Sequence, residues 1–113
     1  MPAQQLNSIR VEKPWGRRAL WPGFAPVAAD CDPVGEIWFE ALAGTDPGLM
    51  VKYLFTSERL SIQVHPDDAA AKQRGHARGK DEAWVILAAE PGATVALGTR
   101  HAVSQDQLRQ AAS

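Results

Sequence analysis

The stretch Leu60-Ser61-Ile62-Gln63-Val64-His65, stopped by Pro66, alternates strictly between apolar and polar residues, the period of a β-strand with one buried face. Leu60, Ile62 and Val64 share one side; Ser61, Gln63 and His65 share the other. Residues two apart on a strand are about 6.5–7 Å from each other, so Gln63 and His65 are spaced to converge on one ion. The same pattern also suits an ordinary solvated face.

Strand texture continues on both sides. Residues 36–42 and 49–55 are rich in β-favouring side chains, with a Gly44-Thr45-Asp46-Pro47-Gly48 turn between them and a short connection at 56–59 leading into Leu60. Downstream, Asp67 or Asp68 is placed to cap a brief helix over 69–73 before Gly75. A basic loop follows at 74–79, then a hairpin over 82–88 and 93–97 across Ala89-Glu90-Pro91-Gly92. Ser104 and Gln107 are spaced as a capping box, and Leu108, Ala111 and Ala112 fall on one face of a C-terminal helix. Ahead of the strands, Pro14, Pro22, Pro26, Pro33, Gly16, Gly23 and Gly35 break regular structure, so the first third is expected to wrap irregularly around the rest. The residues predict an all-β domain with short helices after His65 and at the C-terminus.

Composition narrows the function classes. At 113 residues the chain is one domain, large enough for one core and too small for a (β/α)₈ barrel. Twelve Lys and Arg against thirteen Asp and Glu give a formal net charge of −1, without the basic footprint of a nucleic-acid binder. The longest near-apolar stretch, at 83–89, is far short of the ~20 residues of a membrane span. A single cysteine, Cys31, forms no internal bridge and points to a reducing compartment. The first residues lack the charged start and apolar run of a secretory signal, so a cytoplasmic location is expected. The four tryptophans are heavy for a chain of this length, and they suit either a small core or a sugar-binding surface.

The chemistry gathers around Lys80-Asp81-Glu82-Ala83-Trp84. Strand parity puts Lys80, Glu82 and Trp84 on one side. Were this strand to neighbour Gln63 and His65, an imidazole, a carboxylate and an amide oxygen would meet beside an ammonium group, a donor set that suits zinc, with manganese or iron as competitors. An ordinary surface Lys–Glu pair is the plainer reading.

Together the strings Ser61-Ile62-Gln63-Val64-His65-Pro66-Asp67-Asp68 and Gly79-Lys80-Asp81-Glu82-Ala83-Trp84 resemble the signature of type I mannose-6-phosphate isomerases, a branch of the cupin superfamily. Upstream, Lys13-Pro14-Trp15-Gly16, Gly35-Glu36-Ile37-Trp38 and Leu49-Met50-Val51-Lys52 look like three earlier landmarks of that family in the same order. The resemblance runs from Lys13 to Thr99. It implies a cupin-type jelly-roll half, or an incomplete β-sandwich or barrel, forming a single cupin-like domain over residues 1–113 that is the N-terminal part of a longer isomerase domain.

By the same resemblance Gln63, His65 and Glu82 are ligands of one zinc ion. Ser61, Lys80, Trp15 and Glu36 line the substrate pocket, with Lys52 a further candidate. Lys80 is also the catalytic candidate, in proton relay or in hydrogen bonding to the sugar. Core packing remains the alternative for Trp15, Trp38 and Trp84. Arg74 and Arg78 are candidates for a phosphate, or simply a solvated loop. The family completes its site with a later His and a substrate-binding Arg. His76 and His101 do not sit in that motif, and Glu82 follows His65 by 17 positions rather than in the short spacing common among cupins.

Two functions stay open. One is zinc-dependent interconversion of mannose 6-phosphate and fructose 6-phosphate, incomplete as this chain; the other is a non-catalytic cupin-like module for sugar binding or subunit association. The expected partners are a sugar phosphate and either a second copy or a complementing C-terminal half, with no nucleic acid and no membrane.

Overall fold

A computed structural model describes residues 3, 5–41, 46 and 48–111. The predicted end of a strand at Leu42, most of the turn at 44–47 and the helical face position Ala112 lie outside those residues. The described elements are β1 (Asn7–Arg17), β2 (Val34–Glu40), β3 (Val51–Leu54), α1 (Asp68–Gln73) and α2 (Gln105–Ala111). The chain forms two compact units, Met1–Val64 and His65–Ser113. The architecture is that of an open, incomplete all-β fold, a three-stranded antiparallel sheet in the order β1-β2-β3 with short helices after His65 and near the C-terminus.

In the first unit β2 is the central strand, as its buried residues Val34 to Ile37 require. Ile37 pairs with Tyr53 and Phe39 with Val51, while Glu36 pairs with Leu54 and Trp38 with Lys52. The sheet therefore has an apolar face and a mixed one. Val34, Ile37 and Phe55 form the core, with Leu20, Phe24, Val27, Phe39 and Tyr53 packed on it. Phe24 meets Tyr53 edge to face at 5.1 Å and Phe55 at 6.1 Å, arrangements that aromatic quadrupoles favour. Phenylalanine and tyrosine, rather than the tryptophans, fill this core.

The expectation of an irregular first third is corrected over Asn7–Arg17, which is β1. Ile9 and Val11 alternate with Ser8, Arg10 and Glu12, a strand signal overshadowed by Pro14 and Gly16. Both breakers sit where the β1–β2 register shifts, between Glu12 and Arg17. A bulge on an edge strand is where a proline without an N–H is tolerated. Here Lys13 N–H donates to Pro33 O at 2.9 Å, and Trp15 O accepts from Ser57 N–H at 2.8 Å. Gly16 is required by space: a Cβ there would lie 2.4 Å from the Val34 carbonyl carbon. Past the bulge the chain does wrap, laying Leu20, Phe24 and Val27 over the core. Val27 N–H to Arg18 O (2.9 Å) and the Arg10 guanidinium to Ala25 O (2.7 Å) hold that segment.

In the second unit both helices start as the residue pattern predicts. Asp67 caps α1, its carboxylate accepting from Ala70 N–H at 2.8 Å, and Gly75 leaves the helix at φ 80°. At α2, Gln107 N–H donates to Ser104 Oγ at 3.2 Å while Ser104 N–H donates to Gln107 Oε1 at 2.8 Å, the reciprocal capping box.

Three other expectations are corrected. Residues 60–65, 82–88 and 93–97 are not in strands, although a turn closes at Gly92 with Ala93 N–H on Glu90 O at 3.0 Å. Alternation assigns sides to a strand, but a ladder needs a packed neighbour, and a lone hairpin is marginal in water. Ile62, Val85 and Leu97 are accordingly 91%, 82% and 96% exposed. Among the described residues no helix is long and apolar enough to cross a membrane.

Candidate functional site

The structure places the sequence candidates in two groups, one in each unit. In the first unit, Glu36 is buried on the mixed face of the sheet. It accepts a hydrogen bond from the Trp38 indole N–H, and its other oxygen lies 3.4 Å from Lys52 Nζ. The i, i+2 spacing of Glu36 and Trp38 puts both on one face, and the register sets Lys52 opposite Trp38. Trp15 is half-buried at the β1 bulge, its ring within 2.8 Å of where a Cβ on Gly35 would stand. Ser61 and Gln63 are exposed, with the Gln63 amide nitrogen 3.5 Å from Ser61 Oγ.

In the second unit the focus is Glu82. His65 Nε2 stands 3.3 Å from Glu82 Oε2, and Lys80 Nζ stands 3.5 Å from Oε1. A side-chain hydrogen bond from Trp84 acts on this carboxylate as well. Trp84 is also the largest influence holding the Glu82 carboxyl below its ordinary value; partial burial opposes it, and the charges of Lys80 and His65 reinforce it. Lys80 and Trp84 thus both act on Glu82, although the strand whose parity would have put the three on one side does not form. Of the two alternatives open for Trp84, core packing is not the one the structure shows, since Trp84 is 47% exposed.

His76 and His101 remain apart from this cluster. His76 closes α1 through its backbone N–H on Ala71 O at 3.0 Å, and the His101 carbonyl accepts from Thr99 Oγ1 at 2.7 Å. The side chains of Arg74 and Arg78 belong to exposed loop residues. Two residues that carry local geometry were not among the site candidates. Asp68 accepts from Gly79 N–H at 2.9 Å, and Gly79 lies against backbone too closely to admit a Cβ. The signal for them was the second aspartate of Asp67-Asp68, left over once one had served as the cap.

The donor chemistry of His65 and Glu82 fits a divalent metal. Zinc binds imidazole nitrogen and carboxylate oxygen at about 2.0–2.2 Å in tetrahedral geometry, which spaces two donors by roughly 3.3–3.5 Å. Here Nε2 and Oε2 stand 3.3 Å apart in direct hydrogen-bond or ion-pair contact. Among the described residues no three His, Cys, Asp or Glu side chains gather at one point, so further donors would have to be of another kind.

No family model matches the chain, and no solved structure matches it. It is 40% identical over 62 residues to a protein of Streptococcus mutans serotype c named mannose-6-phosphate isomerase, a match covering 55% of this chain and 19% of that protein. It is also 40% identical over 63 residues to the probable mannose-6-phosphate isomerase GmuF of Bacillus subtilis strain 168, covering 55% of this chain and 20% of that protein. Over rather more than half of its residues the chain is therefore similar to mannose-6-phosphate isomerases, of whose length it spans about a fifth.

Proposed function

We propose that this chain supplies the metal-binding part of a zinc-dependent mannose-6-phosphate isomerase of the cupin type. The observation that carries the reading is the approach of His65 to Glu82 within 3.3 Å, with Lys80 on the same carboxylate. Supporting it are the 40% identity to two proteins bearing that name and an open antiparallel sheet of the kind a partial cupin would present.

Converting mannose 6-phosphate to fructose 6-phosphate moves a proton between adjacent carbons through an enediol. When bound, zinc supplies stabilisation of the negative charge that develops on the sugar oxygens. His65 and Glu82 would hold it, with Gln63 as the third ligand by sequence resemblance. Glu82, like any carboxyl of ordinary value 4.5, is ionised and acceptor-only at neutral pH, and its neighbours favour that form further. Lys80, half exposed beside that carboxylate, presents an ammonium able to donate to a sugar oxygen or pass a proton to it. Trp15, Glu36 and Ser61 are proposed to bind the sugar, and a cytoplasmic location is proposed with them.

Zinc content and isomerase turnover measured on one preparation test the reading. The expected result is about one zinc per chain, with affinity falling at least ~10-fold in His65→Ala, Glu82→Gln and Gln63→Ala. This is the minimum scale for loss of a group that holds a metal site together. Absence of zinc binding at micromolar metal overturns the metal assignment. Turnover on mannose 6-phosphate that exceeds the uncatalysed rate and is abolished by Lys80→Ala supports the catalytic one; metal binding without any turnover favours a non-catalytic module.

A further inference from the structure

His65 and Glu82 meet across 17 positions without a strand ladder to align them. What closes the distance is a neck in the intervening loop. Lys80 N–H donates to Pro66 O at 3.2 Å, and Gly79 N–H donates to Asp68 Oδ1 at 2.9 Å. The two ends of the loop are so close here that a Cβ on Gly79 would stand 2.4 Å from Pro66 O, 2.6 Å from the Asp67 carbonyl carbon and 2.8 Å from Asp68 N. All three are backbone atoms, which cannot swing aside as a flexible side chain can. His65 is one residue before the neck and Glu82 two residues after Lys80.

The division of labour between the paired aspartates follows from these contacts. Asp67 satisfies the start of α1 by accepting from Ala70 N–H, leaving Asp68 to reach across to Gly79. A carboxylate accepting a backbone N–H makes one of the stronger hydrogen bonds in a protein, and it acts against the entropy of an open loop of this length.

We infer that Asp68 and Gly79 are positioning residues that clamp the loop neck and thereby set the distance between His65 and Glu82. The clamp's relevance to function rests on the metal-binding reading above; its existence does not. Asp68 touches neither ligand directly, so its effect travels through the backbone of residues 79–82.

The test is the nuclear Overhauser contact between the His65 ring Hε1 and the Glu82 Hγ protons in the full, isotopically labelled chain without metal. The contact is expected in the unmodified chain and in Asp68→Asn, whose amide oxygen still accepts from Gly79 N–H. It should be lost in Asp68→Ala and in Gly79→Ala, while the amide signals of the Ser104–Gln107 capping box stay in place and show that the unit remains folded. Survival of the contact in Asp68→Ala, or its absence from the unmodified chain, overturns the inference. Zinc titration of the same samples separates the two claims. A clamp-dependent contact with no zinc binding supports the clamp and overturns the metal reading, whereas zinc binding about 10-fold weaker in Asp68→Ala than in Asp68→Asn supports both.

Discussion

Glu36 and Lys52 are held on the same face of neighbouring strands, with Lys52 Nζ 3.4 Å from Glu36 Oε1 and the Trp38 indole N–H on the other carboxylate oxygen. Glu36 is 9% exposed, so its charge is accommodated by these two donors more than by water. Removing the carboxylate leaves the indole N–H without its acceptor, while Lys52 still reaches solvent. Glu36→Ala is expected to lower unfolding free energy by about 1–3 kcal/mol, with Glu36→Gln costing less because it retains an acceptor for Trp38. Urea denaturation followed by tryptophan fluorescence measures both, and equal midpoints for the three proteins would contradict the account.

Gly16 makes a sharper demand because its neighbours are the backbone of Val34 and Gly35. Gly16→Ala forces the β1 bulge away from β2 and should cost about 1–3 kcal/mol as overpacking. Amide exchange at Lys13 and Ser57, the two donors that tie the bulge, should accelerate together. Unchanged protection at both would place the close approach elsewhere.

Burial sets a contrast between two aliphatic residues. Ile37 is 1% exposed and Leu97 is 96% exposed. Ile37→Ala is expected to cost about 2–5 kcal/mol. Leu97→Ser should stay within about 0.5 kcal/mol of the unmodified chain, measured by the same urea denaturation. A large loss of stability in Leu97→Ser would mean that this side chain is covered in solution.

The pH dependence follows from Glu82, whose carboxyl lies below its ordinary value of 4.5. Folded Glu82 binds its proton more weakly than it does unfolded, so its contribution to stability is complete above the ordinary value and disappears as pH falls through the lower folded one. The His65 and Lys80 contacts should loosen over the same interval. Carbon-detected titration of the Glu82 carboxyl checks the direction. Trp84→Phe, which deletes the largest lowering influence, should move that titration upward. A midpoint unaffected by the substitution would rule out the Trp84 hydrogen bond.

Much of this molecule is legible locally. The Asp67-Asp68 pair announces α1 and the Ser104–Gln107 box announces α2, because a helix start is satisfied by side chains within three residues. The dense β-formers of β2 and β3 are equally plain, and the five strings spread from Lys13 to Trp84 carry a resemblance to type I mannose-6-phosphate isomerases by residue identity alone. β1 is less legible because Pro14 and Gly16 read as breakers until the bulge against Val34 and Gly35 explains them. Residues 60–65, 82–88 and 93–97 show the opposite case, since their patterning is strand-like and no ladder forms.

By itself, then, the sequence determined the helix starts and the strand texture of β2 and β3, set by groups close along the chain, and it named candidate ligands by resemblance alone. Only the tertiary structure decided which strand signals become paired, where β1 bends, and that Glu82 comes to His65. Those outcomes depend on contacts between distant segments, and for the last of them on a loop neck with no room for a Cβ at Gly79.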